Sequence, residues 1–166
     1  MKIAVTDANI FIDIIYLKIH PILFKIGLEI YTTQYVLDEL DEEQLEELRQ
    51  IINDKILMVY SFSNDELNEL SKYFVKRSLS AADHSVLFIA NKMKAMVISG
   101  DALVRKTCND MKLEVHGILW LMDECINCNH FSYKQAHNKL SDLMIFNKRL
   151  PIKECETRLA KWEEGF

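Results

Sequence analysis

Glycine and proline are scarce in this chain, four and two among 166 residues. With 49% apolar residues as well, that composition excludes a disordered or low-complexity polypeptide and fits a compact folded one. The length suits one domain with a sizeable core and room for a helical appendage. No apolar run approaches the ~18–20 residues a membrane span needs. The N-terminus passes from a single lysine into a strand pattern with no small-residue cleavage site. No signal peptide is therefore expected, and the expected location is cytoplasmic. Repeats and linkers are missing too.

A second paired cysteine motif is also lacking. Cys108, Cys125, Cys128 and Cys155 are expected to be reduced thiols. Cys125-x-x-Cys128, with His130 behind it, has the spacing of half a zinc site, but a second pair is absent. These residues read as helical core cysteines.

Basic residues nearly vanish from one stretch. Residues 38–69 hold eleven acids against Arg49 and Lys55, a balance of −9 within a total of −5, so the remainder carries +4. One acidic strip thus conceals a mildly basic body. That body includes the pairs Lys76-Arg77, Arg105-Lys106 and Lys148-Arg149. Such pairs are either solvated surface or phosphate contacts beside an acidic site. Lys76, Arg77, Arg105 and Lys106 are the candidate substrate-binding cations.

Short apolar runs alternate with longer helical patterns, which predicts βαβ units around a parallel sheet. Strands are expected at 2–6, 28–32, 56–60, 96–99 and 113–116. Helices are expected from Asp7 to Leu17, from Pro21 towards Gly27, over 34–54, and over 64–76 behind the capping box Ser63-x-x-Glu66. Ser80-x-x-Asp83 opens another, with an apolar stripe of Val86, Leu87, Ala90 and Met93. Asp101 caps a helix over 102–111. From Gly117 onward only helices are expected: 118–127, 132–146 behind Ser132, and one from Pro151 to Trp162.

Four acids in separate segments stand out: Asp7, Glu39, Asp83 and Asp101. Asp7 ends the apolar run Ile3-Ala4-Val5-Thr6, Asp101 follows Met96-Val97-Ile98-Ser99-Gly100, and Asp83 lies in the opening turn of a helix. Taken singly, the aspartates are ordinary helix caps, and Glu39 belongs to a charged face. Together the three aspartates put an anionic group at three strand-end or helix-start positions where Ser, Thr or Asn would also cap. In open α/β sheets such positions converge on the crevice beyond the strands' carboxyl ends. Clustered carboxylates repel one another unless protons or a hard cation neutralise them. Mg²⁺ or Mn²⁺ is the natural neutraliser, and phosphodiester chemistry the natural use. Periodicity does not choose between Asp38 and Glu39. On one continuous helical wheel Glu39 lies off the stripe of Leu37, Leu40, Leu48 and Ile51.

Val5-Thr6-Asp7-Ala8-Asn9-Ile10-Phe11 resembles the first motif of PIN-domain nucleases, an apolar strand ending in Asp-x-Asn. Val36-Leu37-Asp38-Glu39-Leu40 is similar to the second, a helix carrying one glutamate. Leu79-Ser80-Ala81-Ala82-Asp83 and the apolar helix after it resemble the third, and Val97-Ile98-Ser99-Gly100-Asp101 the fourth. The four occur in order within residues 1 to about 120. The resemblance implies a three-layer α/β/α fold with a central, mostly parallel sheet. It also implies a nuclease domain over 1–120, with 121–166 as a C-terminal helical extension packed on it. The implied activity is RNA cleavage, of single-stranded or structured RNA, dependent on Mg²⁺ or Mn²⁺. Asp7, Glu39, Asp83 and Asp101 would serve as metal and catalytic residues, and Asn9 and Ser99 would orient them. A toxin role of the VapC type would add an antitoxin partner, and a homodimer would extend the basic groove.

Two other readings stay open. An aspartyl phosphate on Asp7 wants a second acid two residues on, where Asn9 stands. A non-catalytic scaffold would bind RNA or protein through the helical tail, although none of the four acids is missing.

Overall fold

The computed structural model describes residues 1–73 and 75–166, which form five strands and ten helices. The strands are β1 (Lys2–Thr6), β2 (Leu28–Thr32), β3 (Leu57–Val59), β4 (Met96–Ile98) and β5 (Val115–His116). All pair in parallel in one sheet of order β3-β2-β1-β4-β5. The chain builds outward from β1 to β3, then returns across the sheet to place β4 on the other side of β1. Thr6 of β1 lies in register with Ile98 of β4. The β1/β4 boundary is therefore the topological switch point, whose carboxyl ends open a crevice.

Strands buried on both faces read as continuous apolar runs. Ala4 and Val5 in β1, and Met96, Val97 and Ile98 in β4, are buried accordingly. Two sets of mutually packed helices make the outer layers. One centres on α6 (Ala81–Met93), which rests on β1 and β4 and carries α3 (Gln34–Leu37) and α5 (Asn64–Lys72). The other joins α1 (Ala8–Tyr16) to α2 (His20–Leu23) and to α4 (Glu42–Asn53). The chain is thus a three-layer α/β/α fold. In α6, Ser85 to Ala90 are all buried, as expected of a helix covered on every side.

The tail begins with α8 (Ile118–Asn127), which follows α7 (Ala102–Asp110) and β5 and packs on α2 and β5. α9 (Tyr133–Phe146) packs on α8, and α10 (Ile152–Glu163) on α9. One apolar cluster runs without a break from Ala4 to Trp162. Cys108, Cys125 and Cys155 lie within it, whereas Cys128 is exposed. Among the described residues no helix is long and apolar enough to cross a membrane.

The main departure from the expected elements lies at 34–54. The single acidic helix expected there is two helices, α3 and α4, separated at residues 38–41. Asp41 starts α4 with a capping box: its carboxylate accepts from the Gln44 N–H at 2.8 Å, and Gln44 Oε1 accepts from the Asp41 N–H at 3.0 Å. The wheel that set Glu39 off the apolar stripe therefore does not apply. The helix expected over 64–76 ends at Lys72, because Tyr73 turns extended; Phe74, within that range, lies outside the described residues. The Pro21 helix stops at Leu23, short of Gly27, whose φ of +78° reverses the chain into β2. β3 and β5 are shorter than expected, each being an edge strand with one neighbour.

A buried chain of hydroxyls ties α3 to α6. Ser85 Oγ donates to the Ala82 carbonyl at 2.7 Å, so its single proton is used there. The 2.7 Å contact between Thr33 Oγ1 and Ser85 Oγ is then a donation from threonine. Thr33 Oγ1 also accepts from the Val36 N–H, capping α3. Thr33→Val is expected to destabilise the fold by about 1–2 kcal/mol, read as a lower urea midpoint. An unchanged midpoint would show this link to be dispensable.

Candidate active site

Asp7 terminates β1 and caps α1, its Oδ1 accepting from the Ile10 N–H at 3.2 Å. Its Oδ2 accepts a short hydrogen bond from the Ser99 hydroxyl. The side chain is almost wholly buried, at 4% exposure. Desolvation is the main cause that raises its pKa, to about 7. The Ser99 and Ile10 hydrogen bonds oppose the rise, and the charges of Asp83 and Asp101 add to it.

Ser99 is the joint between the first and fourth acidic segments. Its Oγ accepts from the Asp101 N–H at 3.1 Å while its hydroxyl donates to Asp7. Asp101 caps α7, its Oδ1 accepting from the N–H groups of Leu103 and Val104 at 2.9 Å each. Arg105, one turn on, donates through Nη1 to the Ser99 carbonyl at 3.1 Å. Gly117 makes room for that guanidinium, since a Cβ there would lie 3.1 Å from Nη1.

Asp83 closes the capping box of α6. Its Oδ2 accepts from the Ser80 N–H at 2.9 Å, and Ser80 Oγ accepts from the Asp83 N–H at 3.1 Å. Glu39 lies in the exposed link after α3. Desolvation, then the charge of Asp83, raises its pKa, and the Ser80 side chain opposes this. Asp38 faces other business, accepting from Gln34 Nε2 at 2.8 Å.

Beside desolvation, the charges of Asp83 and Asp101 thus bear on Asp7, and the charge of Asp83 bears on Glu39. Each aspartate commits one oxygen to a helix start. Among the described residues the second oxygens of Asp83 and Asp101 accept no hydrogen bond from the protein.

A cleft of about 1120 Å³ opens beside Asp101 and is lined by Asn9, Arg105 and Lys106. Lys76 and Arg77 do not line it, and Lys76 instead pairs with Asp110 at 3.0 Å. Sequence reasoning missed Asp13, a cleft residue only 4% exposed. Desolvation raises its pKa to about 6, against the pull of its bonds from Asn147 Nδ2. A signal existed: Asp13 is the lone acid in the apolar run Ile10-Phe11-Ile12-Asp13-Ile14-Ile15.

The family model DUF3368, described as a PIN domain, matches residues 3–164. The chain belongs to the PIN-domain family. Curated proteins give no significant match. The match to the PIN-domain model continues through the helical tail, past the last of the four motifs. PIN domains have a nuclease-type fold and in general use divalent metal ions.

The donor set suits such an ion. It consists of carboxylate oxygens and a hydroxyl, without sulfur or imidazole, the chemistry of Mg²⁺ or Mn²⁺ rather than zinc. Among the described residues no three His, Cys, Asp or Glu side chains are drawn into a ready ligand cage. Mg²⁺ asks for little of that kind, since it keeps several waters and takes one or two carboxylates directly.

The burial of Asp7 has a consequence for stability. The fold holds the Asp7 proton to about pH 7, whereas the unfolded chain releases it near the ordinary value of 3.8. The proton thus favours the fold fully below the lower value, and this contribution is lost as pH rises through the higher one. In EDTA, Asp7→Asn should be more stable than the wild type at pH 8, by on the order of 2–4 kcal/mol. The gap should shrink as pH falls towards 4. Chemical denaturation across that range checks it, and a gap independent of pH would contradict the burial argument.

Proposed function

We propose that this PIN domain is an endoribonuclease that hydrolyses single-stranded RNA at the Asp7–Glu39–Asp83–Asp101 cluster with Mg²⁺ or Mn²⁺. The observation that carries this reading is electrostatic. A buried carboxylate at the sheet's switch point is loaded further by two others from distant segments. Folding tolerates such repulsion poorly, and a cation-binding site is its most economical explanation.

Asp7, Asp83 and Asp101 would hold the ion, with Glu39 completing the ring. When bound, the ion supplies charge for the phosphate oxygens and lowers the proton affinity of the attacking water. Ser99 keeps Asp7 Oδ2 oriented, and Asn9, at the start of α1, is the candidate second orienting group. The amino ends of α1, α6 and α7 bring positive dipole ends to the cluster and offset part of its charge. Glu39, exposed and of raised proton affinity, is the candidate acceptor for the proton that water gives up. Arg105 and Lys106 would neutralise phosphates beside the scissile one. An unpaired strand fits best, because its backbone can enter a cleft that a duplex cannot. The finer proposal, a toxin restrained by an antitoxin, rests on family resemblance alone.

Asp83→Asn keeps an oxygen for the Ser80 N–H while removing an anionic ligand. It should lower Mn²⁺-dependent cleavage of single-stranded RNA by at least about 100-fold, with little change in melting temperature. EDTA should abolish cleavage by the wild type. Full activity in the variant or in EDTA overturns the assignment, and metal-independent RNA binding without cleavage favours a scaffold.

A further inference from the structure

The cleft beside Asp101 is lined by two parts of the chain. Asn9, Arg105 and Lys106 belong to the part that carries the four motifs, while Phe146 ends α9 and residues 147–151 connect it to α10 in the tail. That connection is clamped. Asn147 Nδ2 donates to both oxygens of buried Asp13, at 3.1 and 3.0 Å, and Asn147 Oδ1 accepts from the Arg149 N–H at 2.9 Å. The clamp fixes Lys148 and Arg149 at the cleft.

Their charges are uncommitted. Among the described residues Lys106, Lys148 and Arg149 have no carboxylate within 4.0 Å. Lys148 Nζ reaches only the Met144 carbonyl, at 3.3 Å. Arg158, another lining residue, is by contrast tied to Asp123 at 2.9 Å. The same cleft carries an aromatic face, His116 stacked on Trp120 with centroids 4.2 Å apart and planes 16° apart. Free cations beside a flat aromatic surface are the elements that hold single-stranded nucleic acid. At about 1120 Å³ the cleft also exceeds the ~300–1,000 Å³ typical of a small-molecule pocket.

We propose that the tail supplies the second half of the substrate groove. It holds the strand flanking the scissile bond, with phosphates on Lys148 and Arg149 and an unpaired base on the His116–Trp120 face. This deepens the nuclease reading and rests on it.

The test is binding of a short, labelled, mixed-sequence single-stranded RNA in EDTA, followed by fluorescence anisotropy over a salt series. Lys148→Ala/Arg149→Ala should weaken binding about 10- to 100-fold. It should also flatten the log–log salt slope by about 1.4, or ~0.7 per lost phosphate contact. Trp120→Ala should weaken binding roughly 5- to 100-fold at every salt concentration, and Trp120→Tyr should restore most of it. Lys134→Ala/Lys161→Ala, on exposed tail positions outside the cleft, should match the wild type. Binding and cleavage by the wild type that persist unchanged in the Lys148/Arg149 variant overturn this inference alone. Failure of the wild type to bind RNA overturns it together with the reading beneath it.

Discussion

A carboxylate at the carboxyl end of a central strand, stripped of water and held there by a serine hydroxyl, organises this molecule. Asp7 would be exposed and ordinary were β1 an edge strand. Because β2 and β4 flank it and α6 rests on it, Asp7 is buried where the sheet changes direction. Desolvation alone would expel or protonate it. Ser99 and the Ile10 N–H partly compensate, and Ser99 passes the constraint on by accepting from the Asp101 N–H and anchoring Arg105. The end of β4, the start of α7 and the first basic residue of the cleft are thus positioned by one link.

The fold was largely legible because its determinants are local and repeated. Continuous apolar runs marked β1 and β4, and Ser63, Ser80 and Ser132 each open a helix with a capping box. The α3–α4 break was legible too, in Asp41-x-x-Gln44, but the density of acids around it imitates one charged helical face. Hydrophobic periodicity from Leu37 to Ile51 survives the interruption, which is why a single helix looked continuous. Periodicity does not make the choice between Asp38 and Glu39, since it depends on where the link after α3 meets α6. Asp13 was overlooked for the opposite reason. Its helix is so apolar that the pattern is satisfied without asking what a carboxylate does inside it, and its partner Asn147 lies 134 residues away.

The charge distribution becomes intelligible in the same frame. The acids of α4 lie on its solvated side, with Leu48 its one buried residue and Glu46 paired to Arg49 at 2.8 Å. They set the net charge without entering the cleft. The basic pairs divide by their neighbours rather than by their spacing. Lys76 is absorbed by Asp110, whereas Arg105-Lys106 and Lys148-Arg149 converge on one cleft from segments more than forty residues apart. Net charge is therefore a poor guide to what this surface attracts, since a local field is set by the charges within about a Debye length, ~8–10 Å.

The ambiguity between helix cap and ligand dissolves once the two oxygens of a carboxylate are considered separately. Asp83 uses Oδ2 and Asp101 uses Oδ1 to satisfy backbone N–H groups at the starts of α6 and α7. At Asp101, the N-cap of α7, a serine or threonine would do that too but would have no further anionic oxygen to offer. An aspartate caps with one atom and presents the other, already oriented because the cap fixes the side-chain torsions. Capping is thus the means by which the proposed site is rigid before any cation arrives. Asp7 differs in that both its oxygens are engaged, one by a backbone N–H and one by a hydroxyl that rotates readily. Of the three aspartates it is the most confined, and its oxygens can turn to an ion only as Ser99 or Ile10 yields.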